Sequence, residues 1–275
     1  MFGKVIGEDM GSAPYFRVLA KLNWAEEHIK NLNAATDRFR KAHTDIVIRE
    51  PHEDLGEVWH KVAYVPEIPA PLGLLLGDAL YNLRAALDYL AYELVLAGGN
   101  EPSGQTAFPI FDTADEYWER MARKVKGMRQ SAIEAINRIQ PYEGGFSHAL
   151  WQLHRLNNID KHRALLTIAL VNTARTMTPS EEQQFAERFK RVHGAYPTGT
   201  SQWRFRRGKG FPVPLNAGDV LLKVPISEVQ EDMRFGFDIA FDEGEVKASM
   251  TIFVFLRTVA DQVFRVIESL GPHLQ

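Results

Sequence analysis

Between position 15 and about position 41, apolar residues return at steps of three and four: Leu22, Ala25, Ile29, Leu32, Ala35 and Phe39. That spacing paints one face of a 3.6-residue turn and predicts one long amphipathic helix. The pattern then changes. Positions 44–49 and 58–64 are β-branched or aromatic runs parted by 51–56, which predicts a hairpin closed off by Pro66, Pro69 and Pro71. Pro71 suits the opening of a second helix, whose stripe of Leu83, Leu87, Leu90 and Leu94 ends at Gly98-Gly99. A short extended or loop segment over 106–111 leads to two shorter helices over 112–128 and 130–139, interrupted at Gly127 and ended by Pro141. After a turn at Gly144-Gly145, Leu150, Leu153, Leu156 and Ile159 predict a helix from His148 to about 164.

Beyond it, 166–171 is a continuous apolar run, and Phe235, Phe237, Ile239 and Phe241 alternate with Arg234, Gly236, Asp238 and Ala240. A period of two predicts strands. Positions 242–245 read as a hairpin turn, and a last helix carries Leu256, Val259, Val263, Val266 and Leu270 up to Gly271-Pro272. The sum is an α+β fold: a helix-dominated bundle with an inserted β-hairpin and a C-terminal antiparallel β elaboration. It reads as one domain over 1–275, with a helical core at about 12–42, 71–164 and 251–271 and β elaborations at about 43–66 and 165–250. No repeat or low-complexity tract interrupts it.

Composition narrows the chemistry. Hydrophobic residues make up 45% of the chain and aromatics 11%, enough for a substantial core and incompatible with global disorder. A net charge of −3 and a pI near 6.3 give no overall basic field, so any nucleic-acid contact must be local. The absence of cysteine removes disulfides, thiolate metal sites and cysteine nucleophiles, and suits a reducing cytosol. Lys4, Glu8 and Asp9 break any export signal at the start, and the longest apolar runs, at 72–76 and 252–256, are far below the roughly 20 residues that span a bilayer. A cytoplasmic chain without a membrane span is therefore expected.

Two helices carry concentrated polar groups. On the one opening near Pro71, Tyr81, Arg84 and Asp88 share a face with Asp78, Asn82 and Tyr89. A solvated face with an Arg84–Asp88 ion pair, contributing about 0.3 to 0.5 kcal/mol, explains this. The two tyrosines argue instead for packing on a neighbour, because their rings are half apolar. The later helix holds Arg155-Leu-Asn-Asn-Ile-Asp-Lys-His162. Arg155 and His162 are seven residues apart and fall within about 20° of each other on a continuous helix, with Asn158 between them. Asp160, Lys161 and Arg163 surround His162 with charge. Asn157 and Asn158 in tandem are poor interior helix residues, so either something outside the helix uses their amides or the helix is fraying there and His162 is a capping or packed histidine.

An arginine, six residues and a histidine on a late helix of a bundle resembles the Arg-x(4 to 6)-His motif of the HEPN superfamily, and 82–90, Asn-Leu-Arg-Ala-Ala-Leu-Asp-Tyr-Leu, is similar to the helices that precede it there. The likeness spans about 71–163 and reaches Arg155 and His162, with Asn157, Asn158 and Asp160 inside the motif. Leu156 stands where the family commonly carries a polar residue. The resemblance implies a metal-independent endoribonuclease of a toxin or defence type, acting as a homodimer, with RNA as substrate and an antitoxin or effector as further partner. Arg84 and Asp88 would join the supporting polar network. The chemistry is coherent: a histidine near neutrality serves as base to a ribose 2′-hydroxyl, and a permanently charged, planar arginine faces the developing phosphorane.

Trp203, Arg204, Phe205, Arg206, Arg207, Lys209 and Phe211 interleave aromatics with cations. This pattern either binds phosphates and stacks bases or is a strand with Trp203 and Phe205 turned inward. Arg120, Arg123, Lys124, Lys126 and Arg129 read most simply as a solvated helix face. Two other functions compete. One is a metal-dependent hydrolase using His154, Asp160 and His162 with Asp78 or Asp88, although this spacing matches no established ligand motif. The other is a non-catalytic interaction or nucleotide-binding protein. The phosphate-cradling glycine loop, the nucleophile elbow and the dinucleotide fingerprint are absent, so the reading includes neither cofactor nor metal.

Overall fold

In the computed structural model the chain is described over residues 13–162, 166–197, 205–207, 213–242 and 250–275, with 13, 161, 162 and 205–207 described by backbone alone. These residues form α1 (Ala13–Ala42), β1 (Val47–His52), β2 (Glu57–Val62), α2 (Ala70–Ala97), α3 (Ala114–Lys124), α4 (Gln130–Ile139) and α5 (His148–His162). There follow β3 (Ile168–Thr176), α6 (Pro179–His193), β4 (Phe205–Arg207), β5 (Val220–Pro225), β6 (Phe235–Phe241) and α7 (Ile252–Leu270). The fold is α+β and dominated by helices, as the residue pattern predicts. Where the sequence reads as one domain, internal contacts gather the chain into two compact units. None of the described helices is long and apolar enough to cross a membrane.

The first unit comprises Met1–Asn33, Ala70–Leu166 and Phe253–Gln275. Its interior is built from the stripes read in the sequence: Leu22 and Leu32 of α1, Leu83, Leu87, Leu90 and Leu94 of α2, Leu150, Leu153 and Leu156 of α5, and Leu256, Val259, Val263, Val266 and Leu270 of α7 are all buried. Removing such surfaces from water, at roughly 25 cal/mol per Å², is what holds the helices together. α2 ends where the pattern places it. Gly98 approaches the Gly127 turn so closely that a Cβ there would lie 2.3 Å from the Gly127 carbonyl oxygen. Helix α3 is shorter than the 112–128 expected, because Thr113 caps its first turn and Val125, followed by Gly127 at φ +93°, ends it.

The second unit comprises Ala34–Pro69 and Thr167–Ile252. It holds two three-stranded antiparallel sheets, ordered β1-β2-β5 and β4-β3-β6. The early hairpin forms as expected, with Val47 opposite Val62, but β1 runs on through Pro51 and His52. Proline is tolerated there because β1 is an edge strand. β6 lies against β3 with Leu170 opposite Ile239. The expected turn at 242–245 falls, beyond Asp242, outside the described residues.

Helix α6 corrects the assignment of 165–250 to β structure. None of its residues is buried, and its apolar period is short, Phe185, Phe189 and Val192 at steps of four and three. Its ends mark it instead: the Thr178 hydroxyl accepts from the Glu181 amide and the Glu181 carboxylate accepts from the Thr178 amide, Pro179 opens the first turn, and Gly194 closes the helix at φ +77°.

His60, opposite Arg49 on β1 and Leu222 on β5, is 2% exposed, and neither ring nitrogen has a hydrogen-bond partner among the described residues. Burial first, then the charges of Arg49 and Arg175, hold its pKa below the ordinary imidazole value. The unfolded chain then takes up a proton, at the ordinary value, that the folded chain accepts only at lower pH. Stability is therefore lost as the pH falls from the ordinary value toward the depressed one. Between about pH 7.5 and about pH 5.5, a His60→Leu protein is expected to lose less melting temperature than its parent by scanning calorimetry. Equal losses would show that His60 protonates freely in the folded chain.

Candidate functional site

Helix α5 runs unbroken from His148 to His162, so it does not fray across the tandem asparagines. Its continuity places the His162 backbone about 10 Å along the axis from Arg155 and on nearly the same face. The imidazole of His162 and the Lys161 side chain lie outside the described residues. The two asparagines part company: Asn157 is 2% exposed with its carbonyl oxygen unpartnered among the described residues, whereas Asn158 turns to a cavity.

That cavity, of about 270 Å³, lies within the helical unit. It is lined by Arg84 of α2, by Phe108 and Asp112 of the segment leading to α3, by Arg120 and Lys124 of α3, and by His154, Arg155 and Asn158 of α5. The helices bearing Arg84 and Arg155 therefore meet. Arg155, with 31% of its side chain exposed, lies 3.7 Å from the Asp112 carboxylate through Nη1. The other Asp112 oxygen accepts from Trp151 Nε1 at 2.9 Å, which ties this segment to α5. Arg120 is exposed, as the sequence reading of a solvated helix face expects, and pairs with Glu116 at 3.3 Å with its guanidinium over the Phe111 ring.

Arg84 departs furthest from expectation. It is 6% exposed rather than solvated. Its Nη1 lies 2.9 Å from Asp88 Oδ1, close as an ion pair but poorly aligned as a hydrogen bond. Nη2 donates to the Phe108 carbonyl at 3.0 Å, and Asp88 accepts the Phe108 amide at 3.0 Å. The Arg84–Asp88 pair thus clamps both backbone groups of Phe108. Burial pulls the Arg84 pKa below its ordinary value, against the opposing charge of Asp88.

Arg84 Nε also donates to His154 Nδ1 at 3.4 Å. A nitrogen that accepts carries no proton, so the neutral His154 ring bears its hydrogen on Nε2. As placed, the Asn158 amide faces Nε2 with Nδ2, at 3.1 Å. For that bond to form, the amide oxygen must face the ring, which leaves the NH₂ group to the cavity. His154, read from sequence only as a metal ligand, is here the link between Arg84 and Asn158.

Asp160 belongs to a different cluster. Its carboxylate rests on the α2 backbone at Gly77, where a Cβ would lie 2.6 Å from Oδ2. Burial, and then the nearby charge of Asp78, raise its pKa above the ordinary carboxylate value. Asp78 in turn lies 3.7 Å from His28. Asp78 and Asp88 are ten residues apart on α2, about 15 Å along the axis. Among the described residues no group of three or more His, Asp or Glu could hold a metal ion; the imidazole of His162, which the metal-hydrolase reading requires, lies outside them. Gly77 and Asp112 are the positions that sequence reasoning missed. An isolated glycine inside an apolar helix is the one signal that marked the first.

Tyr81 and Tyr89 are 46% and 45% exposed, and the Lys21 ammonium lies over both rings, 5.8 and 5.6 Å from their centroids. Of the aromatic and basic stretch, Trp203 and Arg204 lie outside the described residues. The backbone of Arg206 and Arg207 forms β4, opposite Arg175 and Ala174 of β3. No protein-family model matches the chain, and no curated protein or solved structure is significantly similar to it.

Proposed function

We propose that this chain is a metal-independent endoribonuclease of the HEPN type, with Arg155 and His162 as the reacting pair and the cavity between α2, α3 and α5 as the seat of a phosphodiester. The observation that carries this reading is that Arg84, Arg120, Lys124 and Arg155 line one small cavity against only Asp112 and Glu116. Such a lining favours a bound anion, and arginine suits phosphate by its planar fork of donors. In the reaction, His162 takes the proton from a ribose 2′-hydroxyl. The 2′-oxygen bonds to phosphorus, the bond from phosphorus to the 5′-oxygen breaks, and that oxygen leaves with a proton. The products are a 2′,3′-cyclic phosphate and a 5′-hydroxyl, and Arg155 bears on the charge that develops between them.

The homodimer and the toxin or defence role belong to the same proposal. On α2, Leu74, Tyr81, Tyr89, Tyr92 and Leu96 are 42–57% exposed and fall within a band of about 80°, a stripe that a second copy would cover.

The test is cleavage of a mixed pool of structured and single-stranded RNAs in excess EDTA, with parent and His162→Ala proteins side by side. The parent alone is expected to cleave, leaving cyclic phosphate ends. Equal cleavage by both proteins would remove His162 from the site. Retention of RNA on a filter without turnover would replace the enzyme by a binding protein.

A further inference from the structure

The β-containing unit holds a larger cavity, of about 610 Å³, between the end of α1 and the strands. This size falls among pockets that enclose small organic ligands, roughly 300 to 1,000 Å³. Its walls are the rings of Phe39, Phe235 and Phe237 with Ile46, Val47 and Leu170. Arg49 and Arg234, both exposed, also border it, and no carboxylate lines it among the described residues. Arg40 lies there too, but its guanidinium is engaged with Asp37, with Asp238 at 3.8 Å and with the Phe237 carbonyl at 3.2 Å. Arg49 gives one nitrogen to the Gln230 and Glu231 carbonyls and keeps its other donors.

His60 lines the same cavity, its ring 5.3 Å from that of Phe235. Almost wholly buried, with both nitrogens unpartnered among the described residues, it leaves unmet one donor and one acceptor. A buried polar group in that state is costly unless something pairs with it. An acyl chain would fill the apolar walls and leave His60 unpaired. A planar heteroaromatic ring fills them, stacks on phenyl rings and supplies a heteroatom to the imidazole. Arg49 and Arg234, in a cavity that no carboxylate lines among the described residues, then call for a negative charge on the same molecule.

We propose that this cavity binds a small organic anion with a planar heteroaromatic body, and that a ribonucleoside monophosphate has the matching chemistry. The ring lies against Phe235 and His60, and the phosphate reaches Arg49 and Arg234. This assignment rests on no reading of the helical unit.

The test is titration calorimetry of the full chain with each of the four ribonucleoside monophosphates, with inorganic phosphate and decanoate as probes of head and body alone. At least one nucleotide is expected to bind at micromolar concentration and more tightly than either probe. Arg234→Ala, on the exposed rim, is expected to weaken that binding tenfold or more, and His60→Leu likewise, without lowering the melting temperature. Arg84→Met, in the other unit, must leave it unchanged. Absence of binding by every nucleotide, tighter binding of decanoate, or affinities unaltered in both His60→Leu and Arg234→Ala would overturn the proposal.

Discussion

An Arg84→Met protein is expected to unfold within about 1 kcal/mol of its parent and yet, under the proposed ribonuclease activity, to cleave RNA on the order of a hundredfold more slowly. Two large effects oppose each other in its stability. Arg84 is a buried cation whose pKa is pulled down chiefly by burial, so the fold bears a desolvation cost that Asp88 does not fully offset. Methionine removes that cost and keeps the unbranched stem of the side chain packed. Against this, the Phe108 carbonyl loses its donor, worth about 1 to 3 kcal/mol where the group stays buried. Asp88 is not stranded, because it keeps the Phe108 amide and is 39% exposed. Function has no such compensation. The substitution takes one cation from the cavity and unties His154, whose ring orients Asn158. Urea unfolding, followed by circular dichroism, checks the first half and RNA cleavage the second. A loss of several kcal/mol would make Arg84 a structural clamp alone.

Apolar periodicity made most of the helices legible, because α1, α2, α5 and α7 each bury a stripe that recurs at three and four residues. It failed for α6, whose apolar period is only Phe185, Phe189 and Val192 and buries none of them, and which is written more clearly in Thr178, Pro179, Glu181 and Gly194 at its ends. The site was legible in part. Helical spacing alone brings Arg155, Asn158 and His162 onto one side of α5, and this follows from local geometry. What Arg84 does is not local. The same four-residue spacing to Asp88 describes a solvated pair or a buried clamp, and only the approach of Phe108 and His154, 24 and 70 residues away, decides between them. The tyrosines show the converse: a half-apolar ring asks for a neighbour, and Lys21 over Tyr81 and Tyr89 meets part of that demand while leaving them half exposed.

Gly77 offers the sharpest separation of local from tertiary effects. An alanine inside a helix is favoured over glycine by about 1 kcal/mol, so Gly77→Ala taken locally should stabilise α2. The nearest atoms to the new methyl, however, are the two oxygens and the carboxyl carbon of Asp160, all within 2.9 Å. A crowded methyl of this kind costs about 1 to 3 kcal/mol, and the short Asp160 side chain must swing away or α5 must lift. Gly77→Ala is therefore expected to destabilise the parent by about 1 kcal/mol and to stabilise an Asp160→Ala background by a similar amount. The change of sign gives a coupling of about 2 kcal/mol in a double-mutant cycle read by urea unfolding. Additivity would mean that Asp160 does not rest on Gly77 in solution. Because Asp160 lies two residues before His162, the single Gly77→Ala substitution is also expected to slow RNA cleavage, where the smaller loss in Asp160→Ala leaves the end of α5 seated.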